Sequence, residues 1–263
     1  MVGCVSVVVP TFRRPAFLAE AVESALRQPE TLEVLVVDDS PEGSACETAA
    51  ALGVRYLKMD VPSGGKPALP RNAGARLAGG RYLHFLDDDD VVLDGAYGHL
   101  AGALERDPGV GVAFGVVVPF GDERALPHER TYFADAARRA ARAIRLGSQR
   151  AIVTTMLHQP TVLVNSACLI RRHLVELVGG YRAEAAPVED VDFYLRAIRQ
   201  FGCAFVAKPV LHYRVGHPSL MHSERQAERT CAAYAHIGTL YKQTWGVLEY
   251  RLLQLLAHTL LRA

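Results

Sequence analysis

Cysteine is scarce and carries no pattern: Cys4, Cys46, Cys168, Cys203 and Cys231 are scattered, odd in number and without a Cys-x-x-Cys spacing. That indicates neither a disulfide framework nor a zinc site, and a reducing cytoplasm is the expected compartment. Net charge is nearly absent as well. Lysine and arginine total 29 against 28 acids, a formal +1, so there is no general footprint for nucleic acid or an acidic surface. Any bound anion must be held by local groups. Long apolar runs are missing too: Met1 to Pro10 has no basic leader and is too short for a signal peptide or a membrane span. Lysine occurs only at Lys58, Lys66, Lys208 and Lys242. With many alanines, that bias toward arginine fits a high-GC bacterial genome. Internal repeats and low-complexity tracts are lacking.

What remains is an ordinary globular composition: 263 residues, 50% hydrophobic and 22% charged, enough for one large domain or one domain with an elaborated second half. Val5 to Val9 is a β-branched run stopped by Pro10, the pattern of a strand buried on both faces. Pro15 is placed to open a helix whose apolar stripe is Phe17, Leu18, Ala21, Val22, Ala25 and Leu26. Val34 to Val37 predicts a second strand ending at Asp38-Asp39-Ser40. Ser44 and Glu47 have capping-box spacing before a short helix. Val54 to Leu57 predicts a third strand, the loop Ser63-Gly64-Gly65 leads to a helix over Arg71 to Leu77, and Tyr82 to Leu86 predicts a fourth strand. Strands alternating with helices predict a doubly wound, mostly parallel sheet over roughly the first 100 residues.

The fourth strand runs into Asp87-Asp88-Asp89-Asp90. Four adjacent carboxylates cannot sit unpaired in a core. At a strand end they are hard oxygen ligands suited to Mg²⁺ or Mn²⁺, which a diphosphate can share; a solvated acidic turn is the plain alternative. In an open α/β sheet the ligand crevice lies beyond the carboxyl ends of the strands, and Thr11, Asp38, Asp39 and the Asp87 to Asp90 run all follow strand ends.

Further on, the pattern predicts a helix over Ala96 to Arg106, a strand over Val110 to Val118 and a polar segment with Arg124, His128 and Arg130. An amphipathic helix with a basic face follows over Ala134 to Leu146. Another strand is predicted over Val162 to Ile170, then a short helix to Val178 and the turn Gly179-Gly180-Tyr181. Glu189, Asp190 and Asp192 open a helix to Phe201, where one acid is expected to cap the helix and one to be chemical. Strands near Ala204 to Val206 and Val210 to Tyr213 precede a loop, Arg214 to His222, that offers a cation and two imidazoles as a lid over an anion. Helix follows from Ser223, broken near Gly246. Its leucine-rich end, Arg251 to Arg262, is too short to cross a bilayer, which leaves docking on the core, contact with a partner such as a second copy, or attachment at a membrane surface.

Taken together, Val7-Val8-Val9-Pro10-Thr11-Phe12, Val36-Val37-Asp38-Asp39-Ser40, Arg71-Asn72-Ala73-Gly74, Leu86 to Asp90 and Glu189-Asp190-Val191-Asp192 occur in an order and spacing that resembles glycosyltransferase family 2. The resemblance implies a GT-A fold over residues 1–222, with a nucleotide-binding half (1–100), an acceptor-binding half (101–222) and a C-terminal helical extension (223–263). It implies an inverting transfer of a sugar from a nucleoside diphosphate sugar, most often a UDP-sugar, to a hydroxyl on a glycan, a lipid-linked intermediate or a small molecule. Carried onto this chain, Pro10, Thr11 and Asp39 hold the nucleobase with Arg13 or Arg14 nearby, and Asp38 partners them or orders the loop. Arg71 reaches the base or diphosphate. Asp87, Asp88 and Asp89 match the Asp-x-Asp element, Asp88 near the ribose and Asp89 the direct ligand of Mn²⁺ or Mg²⁺, with a register open by one. Asp190 matches the general base, with Glu189 as alternative. Arg214 and His217 match a loop that touches diphosphate or metal, His212 and His222 competing.

The residues themselves argue the same way. Diphosphate departure leaves charge that a divalent metal and an arginine stabilise, and a carboxylate accepting the acceptor's proton contributes roughly 10²- to 10⁴-fold. A nucleotidyltransferase or a dinucleotide-dependent oxidoreductase should carry a glycine-rich loop after the first strand, where Pro10 to Arg14 stands instead. A non-catalytic sugar-nucleotide binder or scaffold stays open, because fold does not guarantee activity.

Overall fold

The computed structural model describes residues 2–159, 162–216 and 224–260, with backbone alone at 224–231 and 259–260. The first half alternates β1 (Val5–Thr11), α1 (Pro15–Leu26), β2 (Thr31–Asp38), α2 (Cys46–Ala51), β3 (Arg55–Lys58), α3 (Ala68–Leu77) and β4 (Tyr82–Phe85). Then come β5 (Val91–Val92), α4 (Ala96–Arg106), β6 (Val112–Gly121), α5 (Leu126–Arg145), α6 (Gln149–His158), β7 (Cys168–Arg171), α7 (Arg172–Leu177), α8 (Glu189–Phe201), β8 (Cys203–Val215), α9 (Glu224–Trp245) and α10 (Val247–Leu260).

The strands form one sheet in the order β3-β2-β1-β4-β7-β6-β8-β5. β3, β2, β1 and β4 run parallel, β7 is antiparallel to both its neighbours, β6 and β8 are again parallel, and β5 closes the edge antiparallel to β8. The period of two along β1 sends alternate valines to opposite faces. Val5, Val7 and Val9 join Leu18 and Val22 of α1 and Leu100 and Leu104 of α4 in one apolar layer. Val8 joins Phe85, Phe193 and Ile198 in the other, which α9 and α10 extend through Ile237, Tyr241 and Leu253. α3 approaches β1 so closely that a Cβ on Gly74 would come within 2.4 Å of Val8 Cγ1.

Four elements differ from expectation, the first being α5, which starts at Leu126 and takes in the polar segment with His128 and Arg130. Ser44 does not cap α2; Asp38 does, its Oδ2 accepting from the Ala45 N–H at 2.8 Å. The strand expected over Val162 to Ile170 is a 3₁₀ turn at Asn165–Ala167 and the short β7, with α6 before it unforeseen. The two strands expected near Ala204 and Val210 are one, β8, irregular where it passes Pro209. Among the described residues no helix is long and apolar enough to cross a membrane. α10 instead docks on the core: Leu253 is fully buried, and Glu249 pairs with Arg150 of α6 and Arg199 of α8.

Candidate active site

A cavity of about 600 Å³ opens at the carboxyl ends of β1, β2 and β4. Register explains the convergence: Thr11 pairs with Asp38, and Val8 pairs with Phe85, two residues before the acid run. Pro10, Thr11, Asp39 and the loop at Gly64 and Gly65 line one end, and Asp87, Asp88 and Asp89 line its floor. Glu189 and Asp190 from the first turn of α8 line the wall, and α5 closes the far end.

Asp39 Oδ2 accepts from Ser63 Oγ and from the Gly65 N–H, each at 2.7 Å, and so holds the glycine loop over the cavity. Asp38 lies beneath it, fully buried. Its carboxylate accepts from the Ser40 N–H and hydroxyl, the Ala45 N–H and the Tyr56 hydroxyl. It orders the loop and does not line the cavity. Arg13, whose backbone has φ of 58°, turns outward and pairs with Glu42 at 2.7 Å. Arg14 is the arginine that enters, with Nη1 2.5 Å from Asp89 Oδ2 and 3.4 Å from Asp88 Oδ1.

Within the acid run each carboxylate has a different setting. Asp88 accepts from Thr11 Oγ1 at 2.6 Å. Burial, with the charge of Asp89 beside it, pushes its carboxyl up to about 7. Asp87 accepts from Arg71 Nη2 at 2.6 Å, and its own N–H donates to Ser166 Oγ. Asp90 is buried below the others, takes the Arg214 N–H at 3.2 Å on Oδ1, and has its carboxyl raised by burial and then by Asp89. His84, on β4, keeps this floor rigid. Its Nε2 lies 2.7 Å from the Ser166 carbonyl, an acceptor only, so that nitrogen carries the proton and Nδ1 accepts from the Tyr97 hydroxyl. Burial lowers the imidazole to about 4 and keeps it neutral.

On the wall, Asp190 is raised to about 7 by burial and by the neighbouring Glu189 carboxylate, with Arg71 acting the other way. Its Oδ1 accepts from the Val191 N–H at 2.8 Å. Glu189 is buried and takes Arg71 Nη1 at 2.7 Å. Asp192, the third acid of the turn, pairs with Arg196 at 2.7 Å and belongs to the framework.

Arg214 lies away from the cavity lining. Its guanidinium sits 4.8 Å from the Phe17 ring centroid and 4.4 Å from that of Phe120, donates from Nε to the Asp89 carbonyl at 2.9 Å, and pairs with Glu20. It holds the acid loop from behind. His217 and His222 lie outside the described residues. His212 is on β8, its ring 5.3 Å from that of Phe120, and is not part of the lining. The residues that pattern alone did not single out are Asn165, Tyr132, Tyr213 and Tyr234, all on the cavity. Asn165 binds the Phe85 carbonyl at 2.9 Å and the Tyr181 hydroxyl at 2.9 Å.

Whether the acids suit a metal follows from their donor set. Among the described residues no three His, Cys, Asp or Glu side chains gather as a metal centre. Asp88 and Asp89 together face the cavity. Two carboxylates completed by phosphate oxygens and water is the usual arrangement for Mg²⁺ and its like, so the residues fit such an ion when a diphosphate accompanies it.

Residues 6–179 match the family described as Glycosyl transferase family 2. The chain belongs to that family. A relative from Bacillus subtilis (strain 168), the minor teichoic acid biosynthesis protein GgaB, is 35% identical over 98 residues, 35% of this chain and 11% of GgaB. The chain thus spans a small part of that relative. Among solved structures, S. aureus TarS 1-349 in complex with UDP-GlcNAc is 18% identical with a TM-score of 0.62, covering 89% of this chain and 69% of that one. Glucosyl-3-phosphoglycerate synthase from Mycobacterium tuberculosis, in complex with Mn²⁺, UDP and glucosyl-3-phosphoglycerate, is 18% identical with a TM-score of 0.56, covering 90% and 78%. These likenesses establish the GT-A fold, an α/β sheet flanked by helices with a C-terminal helical extension.

Proposed function

We propose that this glycosyltransferase moves a sugar from a nucleoside diphosphate sugar, a UDP-sugar, to an acceptor hydroxyl with inversion at the anomeric carbon. The observation that carries the reading is the meeting of two acid sets in one cavity: Asp88 and Asp89 on its floor and Asp190 on its wall. The first set suits a diphosphate through a metal, the second suits a proton. The UDP-GlcNAc and UDP bound in the two similar solved structures support uridine as the base.

In this reading Pro10, Thr11 and Asp39 border the nucleobase, within residues 1–100, and Arg14 takes the place near the phosphates that Arg13, turned to Glu42, does not. Asp88 and Asp89 hold Mn²⁺ or Mg²⁺, with His217 assigned as a further ligand from the resemblance alone. When bound, the ion neutralises charge on the departing diphosphate. The acceptor enters from the 101–222 side, between α5 and α8. Asp190 accepts the proton of its hydroxyl as that oxygen bonds to the anomeric carbon; the bond from that carbon to the diphosphate oxygen breaks, and the electron pair leaves on the diphosphate. A single displacement from the face opposite the leaving group inverts the centre.

The test is calorimetric titration with UDP, GDP, CDP and TDP, each with Mn²⁺ and with EDTA, followed by transfer assays with UDP-sugars. Metal-dependent binding of UDP is expected. Binding of none of the four would overturn the reading.

A further inference from the structure

Arg71 borders the cavity, yet its terminal nitrogens are already engaged by the protein itself. Its side chain is 5% exposed, and both terminal nitrogens already meet carboxylates: Nη2 at 2.6 Å from Asp87 Oδ1 and Nη1 at 2.7 Å from Glu189 Oε1. Its Nε is buried, with no partner among the described residues. Its guanidinium carbon lies 5.2 Å from the Tyr181 ring centroid. A planar fork fixed on two acids from separate elements is a strut. One end is the loop after β4, the other the first turn of α8, and the residue after Glu189 is Asp190.

We propose that Arg71 is a positioning residue for Asp190: it ties the first turn of α8 to the acid loop and cancels the Glu189 charge that stands beside the base. The inference rests on the transferase reading above and departs at one residue from what the family resemblance implies, because Arg71 then acts through Glu189 and Asp87 and not on the nucleotide. The charge relations agree with the geometry. Burial works against the Arg71 cation, and Asp87 and Glu189 outweigh it, holding the guanidinium above its ordinary value. Among the described residues, the groups that face Asp190 are Glu189 on its own helix, Arg71 on α3, Asp87 on the acid loop, Tyr181 before the α8 turn and Cys168 on β7. Arg71 is the cation of that set, so its removal leaves Asp190 among acids and ionisable neutral groups.

A base works only when deprotonated, so the rate falls as pH drops through the pKa of Asp190. Removing a nearby cation raises that pKa and removing a nearby anion lowers it. Arg71→Gln is therefore expected to move the acidic limb of kcat/KM to higher pH by about one unit or more, while UDP affinity with Mn²⁺ stays within about threefold of wild type. Glu189→Gln, which keeps an acceptor for Arg71, is expected to move the limb to lower pH with UDP affinity likewise kept. Adding Glu189→Gln to Arg71→Gln should bring the limb back toward its native place, a reversal that mere structural damage would not produce.

If Arg71→Gln loses UDP binding by tenfold or more while the limb stays, Arg71 reads the diphosphate and the proposal fails. If Arg71→Gln does not fold, Glu189→Gln decides alone: a limb that stays in place sinks the strut. Asp190→Asn, measured alongside, separates this failure from that of the parent reading. An inactive Asp190→Asn with unmoved limbs in the other variants overturns the role of Arg71 only, and an Asp190→Asn that transfers at near-native rate overturns both.

Discussion

Asn72 and Tyr181 hydrogen-bond to each other twice, Nδ2 donating to the Tyr181 carbonyl and Oδ1 accepting from its N–H, each at 2.8 Å. Two motifs 109 residues apart are thereby one device. The turn before Tyr181 is also fitted to Asn72: a Cβ on Gly180, whose φ is 66°, would come within 2.6 Å of Asn72 Oδ1. Tyr181 then stacks on Phe193 of α8, ring centroids 4.1 Å apart, and its hydroxyl reaches Asn165. The helix that carries Arg71 and the helix that carries Asp190 are located through this pair.

Asn72→Ala removes both bonds and leaves the peptide groups of Tyr181 without their partners. The expected cost is about 2–4 kcal/mol, read as a lower denaturant midpoint at unchanged m. A loss within about 0.5 kcal/mol, the range of an ordinary surface change, would show that α3 and the turn are held by packing alone.

Asp89→Ala should abolish metal-dependent UDP binding and leave the fold intact, because the Asp89 carboxylate lines the cavity, pairs with Arg14 and belongs to no strand. Calorimetry with and without Mn²⁺ checks it. Equal UDP affinity in the variant under both conditions would remove the metal from this loop.

Much of the architecture could be read from pattern because local and tertiary preferences coincide there. Pro15 opens α1 and Ala96 to Arg106 is a helix, as apolar spacing requires. The errors fall where a side chain has a tertiary partner that no window of sequence contains. Asp38 displaces Ser44 as the cap of α2 because the end of β2 reaches it first. Val162 to Ile170 looks like a strand, yet Asn165 and Ser166 turn toward Phe85 and Asp87 and break it. Its place in a motif assigns Arg214 to a loop that touches diphosphate or metal. Its strand pairs Phe120 with Arg214, and that register lays the guanidinium between two aromatic rings behind the acid loop. The position of a charge along the chain is legible; the face it turns to is set by the sheet order.

Arg14 bridges Asp89 and Asp88 and stands where a divalent ion would have to be accommodated. Arg14→Gln should therefore tighten Mn²⁺ binding measured without nucleotide, by roughly two- to fivefold, the weight of a partly exposed ion pair. Electron paramagnetic resonance of free Mn²⁺ reads this directly. Weaker Mn²⁺ binding in the variant would mean that Arg14 organises the acids for the ion and does not compete with it.

Asp190→Asn should keep UDP affinity and lose roughly 10²- to 10⁴-fold in transfer, since the amide fills the same space and cannot accept the proton. The pH profile of the native enzyme gives a second reading of the same group. With the Asp190 carboxyl raised to about 7, the base is protonated and idle below that pH and ionised above it, so kcat/KM climbs through neutrality and levels on the alkaline side. An ordinary solvent-exposed aspartate would be ionised throughout and give a flat profile from about pH 5 upward. A flat profile together with an active Asp190→Asn would move the proton to another acceptor on the cavity wall, and Glu189, whose Oε2 is buried and has no partner among the described residues, is the next group to replace.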